Sequence, residues 1–324
     1  MVLKVLRFGA GIILLSALFY FRVIDLDHLR QALTHPGLLI LAALASFMTI
    51  PISGLRWHIL LRSQGLVLNF RRTIAIVTMG AFFANFLPGS AGGEIVRGVY
   101  IYQASHGRRI SAMLSIFVDR LIGLGAFVLF GAAATLIRPT QNYGVFEYGI
   151  FTAAALFVAA IVMLFLFGHR IARLANLVVP ARFGNIAAMI DAASGALAQY
   201  ARNWRMMLVC FVISLVVVFL VGLAIVLVAQ ALPLGRLSMF EYGIAGIYAM
   251  IANNLPLTPG GLGVGESAFA AACIALEPST YGMPFATIFL VYRCVTAIST
   301  LPGLIVYLIY SLRVSPSAPA KPHP

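Results

Sequence analysis

A chain of 324 residues that is 62% hydrophobic and only 10% charged, with a mean hydropathy of +1.01, lies outside the range of soluble globular domains. Several apolar runs reach the roughly 18 to 25 residues needed to cross a bilayer, and no series of short alternating segments marks a transmembrane barrel. The net charge of +13 therefore reports topology and contact with anionic headgroups rather than a nucleic-acid footprint, and no nucleic-acid partner is expected.

The expected fold class is an all-α polytopic membrane protein. A first helix is predicted over residues 4–21, retained rather than cleaved because no Ala-x-Ala-like site follows it. A second covers 37–55 and leads into a basic stretch with Arg56, Arg62, Arg71 and Arg72, where Trp57 reads as an interface anchor. The apolar segment 73–87 is too short for a span and ends in a break, Asn85 to Arg97 (Asn-Phe-Leu-Pro-Gly-Ser-Ala-Gly-Gly-Glu-Ile-Val-Arg). Basic clusters flank this break on both sides, so a hairpin entering from the cytoplasm is predicted, with Arg97 facing cytoplasmic headgroups.

Residues 110–137 form a full span that contains Asp119 and Arg120, and 148–168 span back. Residues 169–205 carry five arginines and a rough apolar stripe. They are predicted to be a cytoplasmic amphipathic segment, lying at the interface or partly buried against the bundle. A span follows over 206–232, and then the short apolar segment 240–252 ends in a second break. This break reads Asn-Asn-Leu-Pro-Leu-Thr-Pro-Gly-Gly-Leu-Gly-Val-Gly-Glu-Ser-Ala-Phe over residues 253–269. Its flanks are poor in Lys and Arg, so this hairpin is predicted to enter from outside. Residues 283–310 make the last span, with Arg293 inside it.

On this topology the 22 Lys and Arg residues divide into sixteen inside, four outside and two in the bilayer. The pattern places both termini in the cytoplasm, with six full spans and two re-entrant hairpins from opposite faces. One transmembrane domain is expected over 1–312, with a disordered tail at 313–324. Cys210, Cys273 and Cys294 stand singly in apolar surroundings and are expected to be buried free thiols. No metal-ligand spacing exists, and neither metal nor cofactor is expected.

The two breaks repeat one pattern: Asn85-x-x-Pro88 and Asn253-x-x-Pro256, then a Gly-Gly pair, then Glu94 and Glu266. An arginine, Arg120 or Arg293, follows in the next span. The predicted repeats are residues 73–137 and 240–311, in opposite orientations. Interrupted apolar segments at corresponding positions of two inverted halves point to a transporter binding site. A second echo, Phe-Glu-Tyr-Gly-Ile at 146–150 and 240–244, does not fit this register and reads as two interfacial anchors or coincidence.

Proline and glycine stop a helix at each break, and broken backbone at membrane depth must be buried in protein or line a cavity. After Gly92-Gly93 and Gly260-Gly261 the chain can restart as a helix whose unpaired N–H groups favour an anion. Arg120 and Arg293 add forked donors suited to phosphate. Asn85, Ser90, Asn253, Asn254 and Thr258 supply polar lining, and an anionic lipid headgroup is the expected ligand. Glu94, Glu266 and Asp119 are expected either to pair with the arginines or to couple transport to protons.

Enzyme chemistry has little support. Gly265-Glu266-Ser267 faintly resembles a rhomboid serine motif, but no His lies in a later span. The six His residues are all expected outside the bilayer core, which removes most phosphatase and metal-hydrolase schemes. No Walker A loop is present.

Asn85-x-x-Pro88…Gly92-Gly93-Glu94-x-x-Arg97 and Leu255-Pro256…Pro259-Gly260-Gly261-Leu262-Gly263-x-x-Glu266 resemble the membrane domain of bacterial lysylphosphatidylglycerol synthase/flippase proteins and their stand-alone relatives. The resemblance covers about residues 5–311. It implies lipid movement across the bilayer, and it argues against lysyl-lipid synthesis because the soluble aminoacyl-transfer domain of that family is not expected here.

The expectation is therefore an ATP-independent flippase of a bacterial inner membrane, acting on an anionic phospholipid or related lipid by alternating access. Its partners would be that lipid and either a second copy or a lipid-synthesis enzyme. Two rivals stand beside it. One is a membrane enzyme of lipid or polyprenyl-phosphate modification, and the other is a non-catalytic subunit of a lipid-synthesis complex.

Overall fold

A computed structural model describes residues 30–313 except for short segments at 87–91, 106–107, 139–143, 179–183, 233, 236, 256–257 and 259–260; side chains are described outside 164–191 and 310–313. The predicted first helix at 4–21 and the tail beyond 313 lie outside the described residues. Among the described residues the chain is helical throughout, with no strand. The helices are α1 (Pro36–Ser63), α2 (Phe70–Phe86), α3 (Gly92–Ala104), α4 (Arg109–Ile137), α5 (Val145–Val178), α6 (Gly184–Arg202), α7 (Trp204–Gln230), α8 (Met239–Asn253), α9 (Val264–Leu276), α10 (Ala286–Thr300) and α11 (Pro302–Arg313).

Among the described residues, five stretches are long and apolar enough to cross a bilayer: Pro36–Ser63, Arg109–Ile137, Val145–Met163, Trp204–Gln230 and Ala286–Ile309. The chain is a multi-pass α-helical membrane protein. Helix α7 shows how sequence makes it so. Val212, Val216, Phe219 and Leu223 recur at helical spacing and are exposed, while Ser214, Val218, Val221, Ile225 and Val228 face inward. Both stripes are mostly apolar, so the outer one is suited to lipid rather than water. The inner stripe packs on α1 and α8.

Several boundaries differ from the sequence expectation. Helix α5 continues to Val178, well past the predicted end of its span. Helix α6 is docked on the bundle: Ala196 and Tyr200 are buried, and Gln199 donates to the Ser63 carbonyl at 2.5 Å. The last span is two helices, because Pro302 supplies no N–H and opens α11 at its first position. Cys210 and Cys273 are buried as expected, but Cys294 is exposed.

Helix α4 serves as a ruler for the rest. At its N-terminal end, Arg108 donates to the Gln64 carbonyl at the end of α1 (2.9 Å). Helices α2 and α3, packed together as a hairpin, have their open end on this side. At the other end of α4, Arg138 contacts Glu241 at the start of α8 (3.6 Å) and the Leu276 carbonyl at the end of α9 (2.6 Å). The start of α8 and the end of α9 therefore lie at the opposite end of α4. The start of α3 and the residue after α8 come to one residue in mid-α4: Arg120 pairs with Glu94 and donates to the Asn254 carbonyl at 3.4 Å.

The two Phe-Glu-Tyr-Gly-Ile copies occupy similar places in the fold. Each copy starts a helix, and each Glu caps it: Glu147 accepts from Gly144 N–H (2.9 Å) and Glu241 from Ser238 N–H (2.8 Å). Both carboxylates then converge on Arg138. Phe146 and Phe240 are exposed, as interfacial anchors would be, whereas Tyr242 is buried.

Candidate functional site

The second break is held shut by its own residues. Glu266 is fully buried and accepts from Gly263 N–H at 2.9 Å, so the carboxylate itself occupies the N-terminal end of α9. Arg293 reaches back from α10 to Glu266 Oε1 (Nε, 2.6 Å), Asn253 Oδ1 (3.1 Å) and the Gly261 carbonyl (3.0 Å). The loop that permits this needs glycine: Gly261 has φ 68° and Gly263 φ 78°. A Cβ on Gly261 would also overlap the Asn253 side chain. Thr258 closes the turn by donating to the Leu262 carbonyl at 2.8 Å. Gly260 lies outside the described residues.

The first break is looser. Its centre, including Ser90, lies outside the described residues. Helix α3 restarts at Gly92, and Gly93 lies against the Gly80 carbonyl so closely that no Cβ would fit. Asn85 donates to Ala81 O and to Thr300 Oγ1 (3.2 Å), tying this hairpin to α10. The Glu94–Arg120 pair remains about one-third exposed on both sides, whereas Glu266 is sealed.

Between α1, α2, α3, α4 and α7, with Asn254 after α8 at its edge, lies a cavity of about 250 Å³. Arg56, Arg97, Arg120, Glu94 and Asp119 line it, with Ser53, Ser214 and Asn254 as neutral polar groups and Gly93 at the α3 start. Asp119 is buried and binds two arginines, Arg56 Nε at 2.7 Å and Arg97 Nη1 at 3.1 Å. Arg56 Nη1 also donates to Ser214 Oγ at 2.7 Å. Three guanidinium groups thus face two carboxylates, and one positive charge is left over.

Of the predicted site residues, Arg120, Glu94, Asp119, Gly93 and Asn254 line this cavity. Arg293, Glu266, Asn253 and Gly261 bind one another beside it. Asn85 and Gly92 belong to the hairpin that borders it. Two residues placed elsewhere by sequence belong inside. Arg56, expected in a cytoplasmic basic stretch, is buried in α1, and Arg97, expected to face headgroups, completes the Asp119 cluster. Trp57 is likewise no interface anchor. It is fully buried, donates to Ser115 Oγ at 3.1 Å, and lies 5.6 Å from the Arg97 guanidinium. His58 is buried too, 3.2 Å from Thr73 Oγ1. Among the described residues no three His, Cys, Asp or Glu side chains gather as a metal site requires.

Comparison with known proteins gives this geometry a setting. The family model described as the lysylphosphatidylglycerol synthase TM region matches residues 3–306. The chain belongs to that family. Membership places it among lipid-related membrane proteins. A UPF0104 membrane protein of Methanocaldococcus jannaschii is 24% identical over 165 residues, and that alignment covers 49% of each chain. The chain thus spans about half the length of this curated relative. No solved structure matches it.

Proposed function

We propose that this member of the lysylphosphatidylglycerol synthase TM region family moves a lipid with a monoanionic headgroup across the bilayer. The observation that carries the reading is the unbalanced cavity, with Arg56, Arg97 and Arg120 against Glu94 and Asp119. Burying an unpaired charge is costly, so a site with one surplus cation favours a ligand carrying one anion, such as a phosphodiester. Arg120 is its central ligand. It is about one-third exposed, and its partner Glu94 can give way to phosphate.

Two hairpins rooted at opposite ends of α4, with tips that meet at Arg120, fit an inverted pair of re-entrant hairpins. Their meeting point would be the midplane site of an alternating-access transporter. In this reading the first hairpin moves, and the second, locked by Arg293 and Glu266, is the fixed wall. The basic end of the bundle (Arg62, Arg71, Arg72, Arg108 and Arg109) faces the cytoplasm of a bacterial inner membrane, and both termini lie on that side.

The test is a headgroup-accessibility assay in proteoliposomes. Wild-type protein is expected to expose a monoanionic lipid from the inner leaflet to an outside reagent. Arg97→Gln and Arg120→Gln should each slow this by about tenfold or more, the loss expected for one charge-assisted contact. Equal rates in wild type and both variants would sink the site assignment.

A further inference from the structure

A second concavity adjoins the polar cavity and differs from it in character. It is a groove of about 590 Å³ between α3 and α4, within the usual size range of small-molecule sites. Ile95, Val99, Met113 and Phe117 line it, and each is exposed. Apolar side chains left uncovered on a membrane protein face lipid, and here they form a trough rather than a ridge. Gly98 is part of its lining, and a Cβ there would lie 3.4 Å from Met113.

Glu94, Ile116 and Arg120 line both the groove and the polar cavity. The Glu94–Arg120 ion pair therefore stands at the neck between an apolar trough open to lipid and a chamber with surplus positive charge. That is the arrangement a molecule with one anionic end and one hydrocarbon end would fit.

We propose that the α3–α4 groove is a lateral portal that holds one acyl chain of a membrane phospholipid while its phosphate engages Arg120 and displaces Glu94. The inference rests on the headgroup reading above and adds where the tail lies and which pair controls entry. It also gives the two breaks unequal roles, since Glu266–Arg293 is enclosed by Asn253 and Gly261 and Glu266 has no exposed surface.

A phosphatidylglycerol carrying a diazirine in one acyl chain tests it. The full chain is reconstituted in liposomes with this probe, irradiated, digested and mapped by mass spectrometry. Adducts are expected to concentrate on Ile95, Val99, Met113 and Phe117. They should fall about tenfold in the neutral double variant Glu94→Gln/Arg120→Gln, which removes the charge-assisted contact to phosphate. Gly98→Leu should reduce them by filling the trough; should that variant fail to fold, the Glu94→Gln/Arg120→Gln result decides. Adducts spread evenly over lipid-facing surfaces, including Phe219 and Leu223 of α7, would overturn the portal. So would groove adducts unchanged by the double variant. Headgroup accessibility is read in the same liposomes. Groove labelling without transbilayer movement would support the portal and defeat the transport reading; movement without groove labelling would do the reverse.

Discussion

Glu266 grips Arg293 through both carboxylate oxygens while its own oxygen caps Gly263 N–H, so one buried side chain holds an arginine and a helix start together. Its counterpart, Glu94, holds Arg120 at the rim of an open cavity. The same residue types at matching positions thus do different work because their burial differs.

Stability should separate the two pairs. Removing one partner of a buried pair leaves an uncompensated charge and costs about 3–5 kcal/mol. Glu266→Ala or Arg293→Ala is therefore expected to lower the detergent-solubilised Tm sharply or to abolish folded yield. Glu94→Gln/Arg120→Gln should shift Tm little, since a partly exposed pair contributes roughly 1 kcal/mol or less. A scan of Tm by intrinsic fluorescence or scattering checks both.

Asp119 should show strong coupling to Arg97. Asp119→Asn leaves Arg56 and Arg97 facing each other without a shared anion, and a large loss of stability is expected. Adding Arg97→Gln removes one of the two cations. The double variant should lose less than the sum of the single losses, with an interaction energy of about 1–3 kcal/mol. A double-mutant cycle on thermal stability measures it.

Glycine at the hairpin seams should be irreplaceable for steric reasons. Gly93→Ala would drive a methyl into the Gly80 carbonyl, a backbone atom that cannot swing aside. Gly261→Ala adds a positive φ to an overlap with Asn253. Each should cost at least about 1–3 kcal/mol. Gly149→Ala is the control, because a Cβ there meets nothing within 4 Å.

The Arg138 clamp should matter more through one acid than the other. Glu147 is 2% exposed and Glu241 23% exposed at the side chain. Glu147→Gln is expected to speed hydrogen exchange at the starts of α5 and α8 and at the end of α9. Glu241→Gln should act mainly on its own helix, where Ser238 and Glu241 form a capping box. Peptide-level exchange mass spectrometry distinguishes them.

Much of this was legible in the chain, for identifiable reasons. Apolar runs of membrane length are dictated by the bilayer, so the spans announce themselves. Pro, Gly-Gly and Glu recur in order at the two breaks; in the fold Gly93 passes the Gly80 carbonyl closely and Glu266 caps the restart of α9, while Glu94 holds Arg120. Arg56 was not legible. It sits beside Trp57 near the end of an apolar run, which is also where a basic residue at a membrane surface would sit, and its partner Asp119 is 63 residues away. Nor was the clamp legible. The repeated Phe-Glu-Tyr-Gly-Ile reads from sequence only as two interfacial anchors or coincidence, and the fold shows that both acids cap helix starts and meet Arg138.

The most direct measurement compares transbilayer rates for two lipids of equal acyl composition in the same proteoliposomes, phosphatidylglycerol with one net negative charge and phosphatidylcholine with none. Wild-type protein should favour the anionic lipid by about tenfold, and the ratio should collapse toward one in Arg120→Gln while the protein keeps its fold. A wild-type ratio near one, or an anionic preference that survives Arg120→Gln unchanged, would contradict a cavity built around one surplus positive charge.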